Sequence, residues 1–188
     1  MSRILTAIAL GSAAALALTA CSGGSAADPS ATGDASTAAG RAPKLTIGAV
    51  VDVATWKAAD ADWGNTATYY MAVYDTLLRT AADGTVEPGL AEEWTYNEEM
   101  TELTLELRDG VTFTDGTELT ADLAAQNLVR FRDGASPNTS NLSAMTDATA
   151  VDEDTLLITL EQPDPALLTY LSQNSGLVAA ASTFDAAD

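Results

Sequence analysis

Apolar and polar residues alternate most cleanly over 102–108. There Leu103, Leu105 and Leu107 fall on one side, and Thr104, Glu106 and Arg108 on the other. A period of two predicts a strand with one buried face. Residues 93–96 predict its partner, joined to it through Asn97-Glu98-Glu99. The arrangement recurs in strands over 148–151 and 155–161, around the turn Asp152-Glu153-Asp154. Pro163 and Pro165 then end the second strand and open a short helix over 166–171, and a last strand is expected over 177–180. The continuous apolar run KLTIGAVV, residues 44–51, predicts a buried strand.

Helical spacing appears twice. Over 65–79, Tyr70, Val73, Tyr74, Leu77 and Leu78 share one side, with Asn65 or Thr66 as cap and Arg79 at the negative end of the dipole. Over 120–132, Thr120 caps a helix whose core side is Leu123, Ala124, Leu128 and Phe131, and Asp122 complements its first turn. Asp83-Gly84, Asp109-Gly110 and Asp115-Gly116 mark turns, and 133–143 reads as a loop. The Asn138 and Asn141 glycosylation sequons in that loop are read as coincidence.

The first residues change the picture of where the chain resides. Arg3 provides a positive start, residues 4–17 an Ala/Leu-rich apolar stretch, and Leu18-Thr19-Ala20-Cys21 looks like a lipobox ahead of the one cysteine. The apolar stretch is shorter than a spanning helix needs and is interrupted by Gly11, so a lipoprotein signal peptide over 1–20 is expected. Resemblance to lipoprotein leaders implies cleavage before Cys21 and a diacylglyceryl group on its sulfur, often with an acyl group such as palmitate on the new amine. Two or more chains make such an anchor stable. Residues 21–43, rich in Ser, Gly, Ala, Asp and Thr, then form a flexible tether spanning roughly 25 Å.

Charge narrows the partners. Eight Lys and Arg stand against 27 Asp and Glu, a net charge of −19, or −20 once Arg3 leaves with the leader. No basic patch breaks this pattern, so nucleic acid is excluded as a partner. The dispersed acids suit a solvated extracellular surface, and they would also favour cationic solutes. The absence of histidine removes the usual Ser-His, Cys-His and zinc arrangements, so an enzyme is not expected. Asp60-Ala61-Asp62-Trp63-Gly64-Asn65 faintly resembles a calcium loop, but Gly64 and Met71 fall where ligands are required, so no metal or cofactor is expected.

Two blocks carry a family resemblance. EPGLAEEWTYNEEMTELTLELRDGVTFTDGTELTAD, residues 87–122, is similar to a pattern P-x-L-A-E-S-W, strand, L-R-D-G-V-x-F-H-D-G-x-x-L-T-A-E-D-V. AVDEDTLLITLEQPDPALLTYL, residues 150–171, is similar to A-V-D-D-x-T-V-x-x-x-L-x-x-P-x-P-x-F-L. Both patterns, in this order, resemble the extracytoplasmic solute-binding proteins of family 5, the peptide- and nickel-binding components of ABC importers. Thr114 stands where the family often has His.

The resemblance implies an α/β fold with α+β character, of the periplasmic-binding-protein type II. Residues 44–188 would be the N-terminal part of the family 5 domain: an incomplete first lobe with a β-rich subdomain, the second lobe missing. Clefts of this kind bury a ligand from both sides, so weak binding by these residues alone is expected. The implied role is that of a substrate-binding lipoprotein, extracytoplasmic and anchored to the cell membrane. It would take an oligopeptide or related small solute and deliver it to ABC permease transmembrane subunits. The alternative is a surface lipoprotein with a structural or protein-interaction role. For ligand contact the resemblance points to the loop after the first strand, with Val53, Thr55 and Trp56 as candidates, although the family's L-D-P-type triplet is missing. Trp56 either stacks on a solute or is a partly buried wall residue. Trp63 is similar, whereas Trp94 matches a family tryptophan that packs between strands.

Overall fold

The alternating leucines organise a four-stranded antiparallel sheet. A computed structural model describes residues 46 and 48–185. In chain order the elements are α1 (Ala67–Tyr70), β1 (Asp75–Thr76), β2 (Leu78–Thr80), β3 (Val86–Pro88), β4 (Ala91–Tyr96) and β5 (Glu102–Leu107). There follow α2 (Ala121–Arg132), β6 (Met145–Ala150), β7 (Thr155–Leu160), α3 (Leu167–Leu171) and β8 (Leu177–Val178). The signal peptide, Cys21 and the tether expected over 1–43 lie outside the described residues. No helix of the described residues is long and apolar enough to cross a membrane.

The large sheet has the order β4-β5-β7-β6. Helix α2 leads from β5 to β6, and β7 returns antiparallel between them, which makes a split β-α-β unit. Leu103 and Leu105 of β5 lie opposite Ile158 and Leu156 of β7, and all four are fully buried. Ala121, Ala124, Ala125, Leu128 and Phe131 of α2 join them in one core, with Leu167 and Leu171 of α3. At roughly 25 cal/mol per Å² of apolar surface, this is the largest favourable contribution in the fold. Thr104, Glu106, Leu157 and Thr159 occupy the opposite, partly open face.

Local chemistry sets the ends of these elements. Thr120 Oγ1 accepts the Leu123 N–H at 3.2 Å, capping α2 as its sequence suggests. Asn97 Oδ1 accepts the N–H groups of Thr101 (2.9 Å) and Glu102 (3.1 Å), closing the β4–β5 turn. Asp152 Oδ1 accepts those of Asp154 (3.1 Å) and Thr155 (2.8 Å) between β6 and β7. Asn138 and Asn141 make internal contacts instead of serving as free sequons. Asn138 Oδ1 accepts from Asn174 Nδ2, and Asn141 Nδ2 donates to Ser175 Oγ.

Two predicted elements differ. The helix expected over 65–79 stops at Tyr70, and residues 75–76 and 78–80 form β1 and β2 instead. Tertiary pairing outweighs local preference here: Asp75 and Thr76 pair with Val178 and Leu177, and the Leu77 N–H donates to Gly176 O at 2.8 Å. Leu77 and Leu78 are buried as the helical pattern requires, but between strands, while Val73 is exposed. Arg79 lies exposed in β2 and caps no helix. The strand expected over 44–51 is also absent among the described residues of that run, which belong to no strand or helix and are exposed. No described strand lies beside them, and an unpaired apolar run has no ladder to join. The final strand is shorter than 177–180, ending at Val178.

A second, smaller core holds Ala58, Ala61, Tyr70, Leu177 and Ala179, with Val53, Trp63, Tyr74 and Phe184 packed against it. Asn127 of α2 ties the two cores together. Its buried amide donates to Ala179 O and accepts the Ala179 N–H, both at 3.0 Å. A helix side chain thereby takes the place of a neighbouring strand just beyond β8.

Gly176 is required by close approach: a Cβ there would stand 1.9 Å from Leu171 O. Gly176→Ala should lower unfolding free energy by about 3 kcal/mol, read as a shifted urea midpoint. Gly48→Ala, with open space around it, should leave the midpoint unchanged.

Candidate functional site

Residues 51–57 form neither helix nor strand. Local turns shape part of the loop: the Val53 N–H donates to Asp52 Oδ1 at 2.9 Å, and the Lys57 N–H to Thr55 Oγ1 at 3.1 Å. Its carbonyls are met from the segment around α1. Tyr69 Oη donates to Val51 O (3.1 Å), Tyr70 Oη to Thr55 O (2.9 Å) and Tyr74 Oη to Trp56 O (2.6 Å). Tyr70 and Tyr74 read from sequence as the core side of a helix. The Tyr70 ring is buried in the smaller core and Tyr74 packs against it, while the hydroxyls of all three brace the neighbouring loop; the signal for this was three phenols within six residues.

The three candidate residues separate. Val53 is partly buried against the smaller core. Thr55 contributes its hydroxyl to the local turn and its carbonyl to Tyr70. Trp56 stays 43 % exposed, its ring set edge-on to Tyr69 and Tyr70 with both centroids 6.3 Å away. Val51, Met71 and Val73, from the same two segments, are exposed as well. Trp63 packs against the smaller core, and Trp94 on β4 packs against the larger.

Two cavities adjoin this region, and neither is lined by Val53, Thr55 or Trp56. One of about 380 Å³ is lined by Lys57, Asp60, Asn127, Arg130, Asp133 and Phe184, among others. Most of its polar groups are already engaged. Asp60 Oδ1 accepts the Ala135 N–H at 2.8 Å. Arg130 donates to Phe184 O at 2.6 Å and lies 4.4 Å over the Phe184 ring. Asp133 is held by Arg132 at 2.7 and 3.0 Å, which keeps its carboxyl below the usual range. The second cavity, of about 290 Å³, lies between Val73-Tyr74-Asp75, residues 111–114 and the Val178–Ala180 stretch, and is largely apolar.

The Asp115-Gly116 turn beside the second cavity is structural. Asp115 accepts from Ser182 Oγ (2.5 Å), Thr117 Oγ1 (2.7 Å) and the Thr117 N–H (2.9 Å). Led by the Ser182 bond, these donors hold its carboxyl at about 2, below the ordinary 3.8. Gly116 follows at φ +86°, which a side chain would strain.

Comparison with known proteins gives the family frame. The model of the bacterial extracellular solute-binding proteins, family 5 Middle, matches residues 85–188. A probable peptide ABC transporter periplasmic-binding protein of Sinorhizobium fredii is 29 % identical over 109 residues, covering 58 % of this chain and 20 % of that protein. The nickel-binding periplasmic protein of Escherichia coli is 44 % identical over 55 residues, covering 29 % of this chain and 10 % of its own. The solved structure of a binding protein from A. tumefaciens R10, in complex with mannopinic acid, aligns with a TM-score of 0.64 at 28 % identity. That alignment covers 71 % of this chain and 28 % of that one. The chain thus spans a fifth or less of the length of the two curated relatives. The loop at 51–57 precedes the stretch that the family model matches.

The Asp115 bonds carry a pH signature. A carboxyl depressed in the folded state adds stability that is fully present above its unfolded value near 3.8 and is lost as pH falls through about 2. In Ser182→Ala the Asp115 carboxyl, followed by NMR, should titrate at higher pH than in the parent. Identical titration in both would remove the bond from the account.

Proposed function

Because this chain belongs to the bacterial extracellular solute-binding proteins of family 5, we propose that it is the substrate-binding lipoprotein of an ABC importer. It takes an oligopeptide or related small solute and delivers it to the transmembrane subunits of the permease. Its chemistry is binding and release, with no bond made or broken. Cys21 carries the lipid that anchors it on the extracytoplasmic side of the cell membrane, and residues 22–43 tether the folded part to that anchor.

The observation that carries the reading, beyond family membership, is the Trp56 wall. An aromatic side chain 43 % exposed, on a loop with a braced backbone, presents apolar area at little entropic cost. The peptide and nickel binding named for the relatives supports a small solute as cargo. The wall is open to solvent on one side, so these 188 residues alone hold a solute weakly.

Protein expressed in its own host should give a calorimetric signal with a mixed pool of short peptides. Trp56→Ala should weaken that binding about tenfold, the loss of a well-packed aromatic contact. No binding to peptides, sugars, nickel or opines would overturn the proposal. Cells fed an alkyne analogue of palmitate should label the protein, and Cys21→Ala should abolish the label. Equal labelling of the parent and Cys21→Ala would refute the lipid anchor at Cys21.

A further inference from the structure

The loop that carries Trp56 lacks the usual means of fixing a backbone. Residues 51–57 belong to no strand or helix, so their carbonyls have no ladder to pair with. Within this loop the carbonyls of Val51, Thr55 and Trp56 each accept from a phenol of the 69–74 segment. Two of those phenols also serve as ring partners for Trp56: Tyr69 at an interplanar angle of 82° and Tyr70 at 71°. The same segment therefore fixes both the main chain and the indole.

We infer that Tyr70 and Tyr74 are positioning residues for solute recognition: their hydroxyls set the loop so that Trp56 stands ready as a wall. This rests on the proposed binding role of Trp56. Tyr70 suits the task because its ring is 1 % exposed in the smaller core, and a tyrosine has only two side-chain torsions. Its hydroxyl therefore arrives at Thr55 O along a fixed path. Tyr74 extends the brace by one residue, to the carbonyl of Trp56 itself. From there the backbone leads through Lys57 into the 3-10 turn Ala58–Asp60, whose Ala58 is part of the same core. The carbonyls of Thr55 and Trp56 are thus both held, which fixes the direction in which the indole leaves the main chain, while the edge contacts with Tyr69 and Tyr70 set the ring. Val73 and Met71, exposed beside these tyrosines, extend the apolar surface next to the wall. A solute meets a surface already ordered and gives up less binding free energy to arrange it.

Fluorine NMR of the 188-residue chain labelled with 5-fluorotryptophan tests this. Its three tryptophans give three lines, and Trp56 is identified by the line lost in Trp56→Phe. In Tyr70→Phe and Tyr74→Phe the Trp56 line should shift and broaden while the Trp94 line stays. Loops released from the wall should become about fivefold more populated per hydroxyl lost, the equivalent of one neutral hydrogen bond. Tyr96→Phe, on β4, should leave the Trp56 line unmoved. An unchanged Trp56 line in both tyrosine variants overturns the inference. So does movement of all three lines with a lowered melting midpoint, which marks a general packing role. If Tyr70→Phe lowers stability through its buried site, Tyr74→Phe, whose hydroxyl is at the surface, decides. Failure of the parent reading looks different: the hydroxyl variants move the Trp56 line, but the mixed peptide pool never does.

Discussion

The fold depends on burying one apolar ridge. Leu103 and Leu105 of β5 and Leu156 and Ile158 of β7 must leave water together, because they alternate on strands that pair directly. A slip of one residue would turn this set to the open face and bring Thr104 and Glu106 into the core, so the register is strongly specified. Helix α2 is the cover that makes the burial complete. Its position then dictates the rest, because Asn127 reaches from it to both main-chain groups of Ala179. That clip holds the end of β8, β8 pairs with β1, and the segment just before β1 carries Tyr69, Tyr70 and Tyr74.

A chain of constraint therefore runs from an ordinary leucine core to an irregular surface loop. Each link is a satisfied backbone group rather than a large energy. Buried amides and carbonyls are costly to leave unpaired, and here Asn127 pairs both buried main-chain groups of Ala179, while Tyr70 meets the part-buried Thr55 carbonyl. The loop can then combine exposure with order, which a binding surface needs and which loops rarely have by composition alone. The acidic surface adds a field that disfavours nucleic acid and anionic surfaces.

Legibility in the sequence follows the range of the deciding interactions. The β4–β5 and β6–β7 hairpins and α2 were readable because alternation, turn residues and the Thr120 cap act within a few residues. Over 65–79 the apolar spacing suits a helix, while the partner that decides the outcome, Leu177–Val178, lies a hundred residues away. Likewise, an apolar run such as 44–51 reads as a strand only if a neighbour exists, and no described strand adjoins it. At the candidate site, Trp56 is singled out by the family resemblance, not by any local pattern of the chain. Val53 facing inward, and the hydroxyl brace, were not readable, since both follow from where the 69–74 segment comes to rest.

Hydrogen exchange, followed by mass spectrometry with and without a mixed pool of short peptides, tests the central claim most directly. If solute rests against Trp56 as proposed, added peptide should slow exchange in peptides spanning 50–57 and 69–75 and leave β6 and β7 unchanged. Protection confined to the open face of the β4-β5-β7-β6 sheet, or none anywhere, would contradict it.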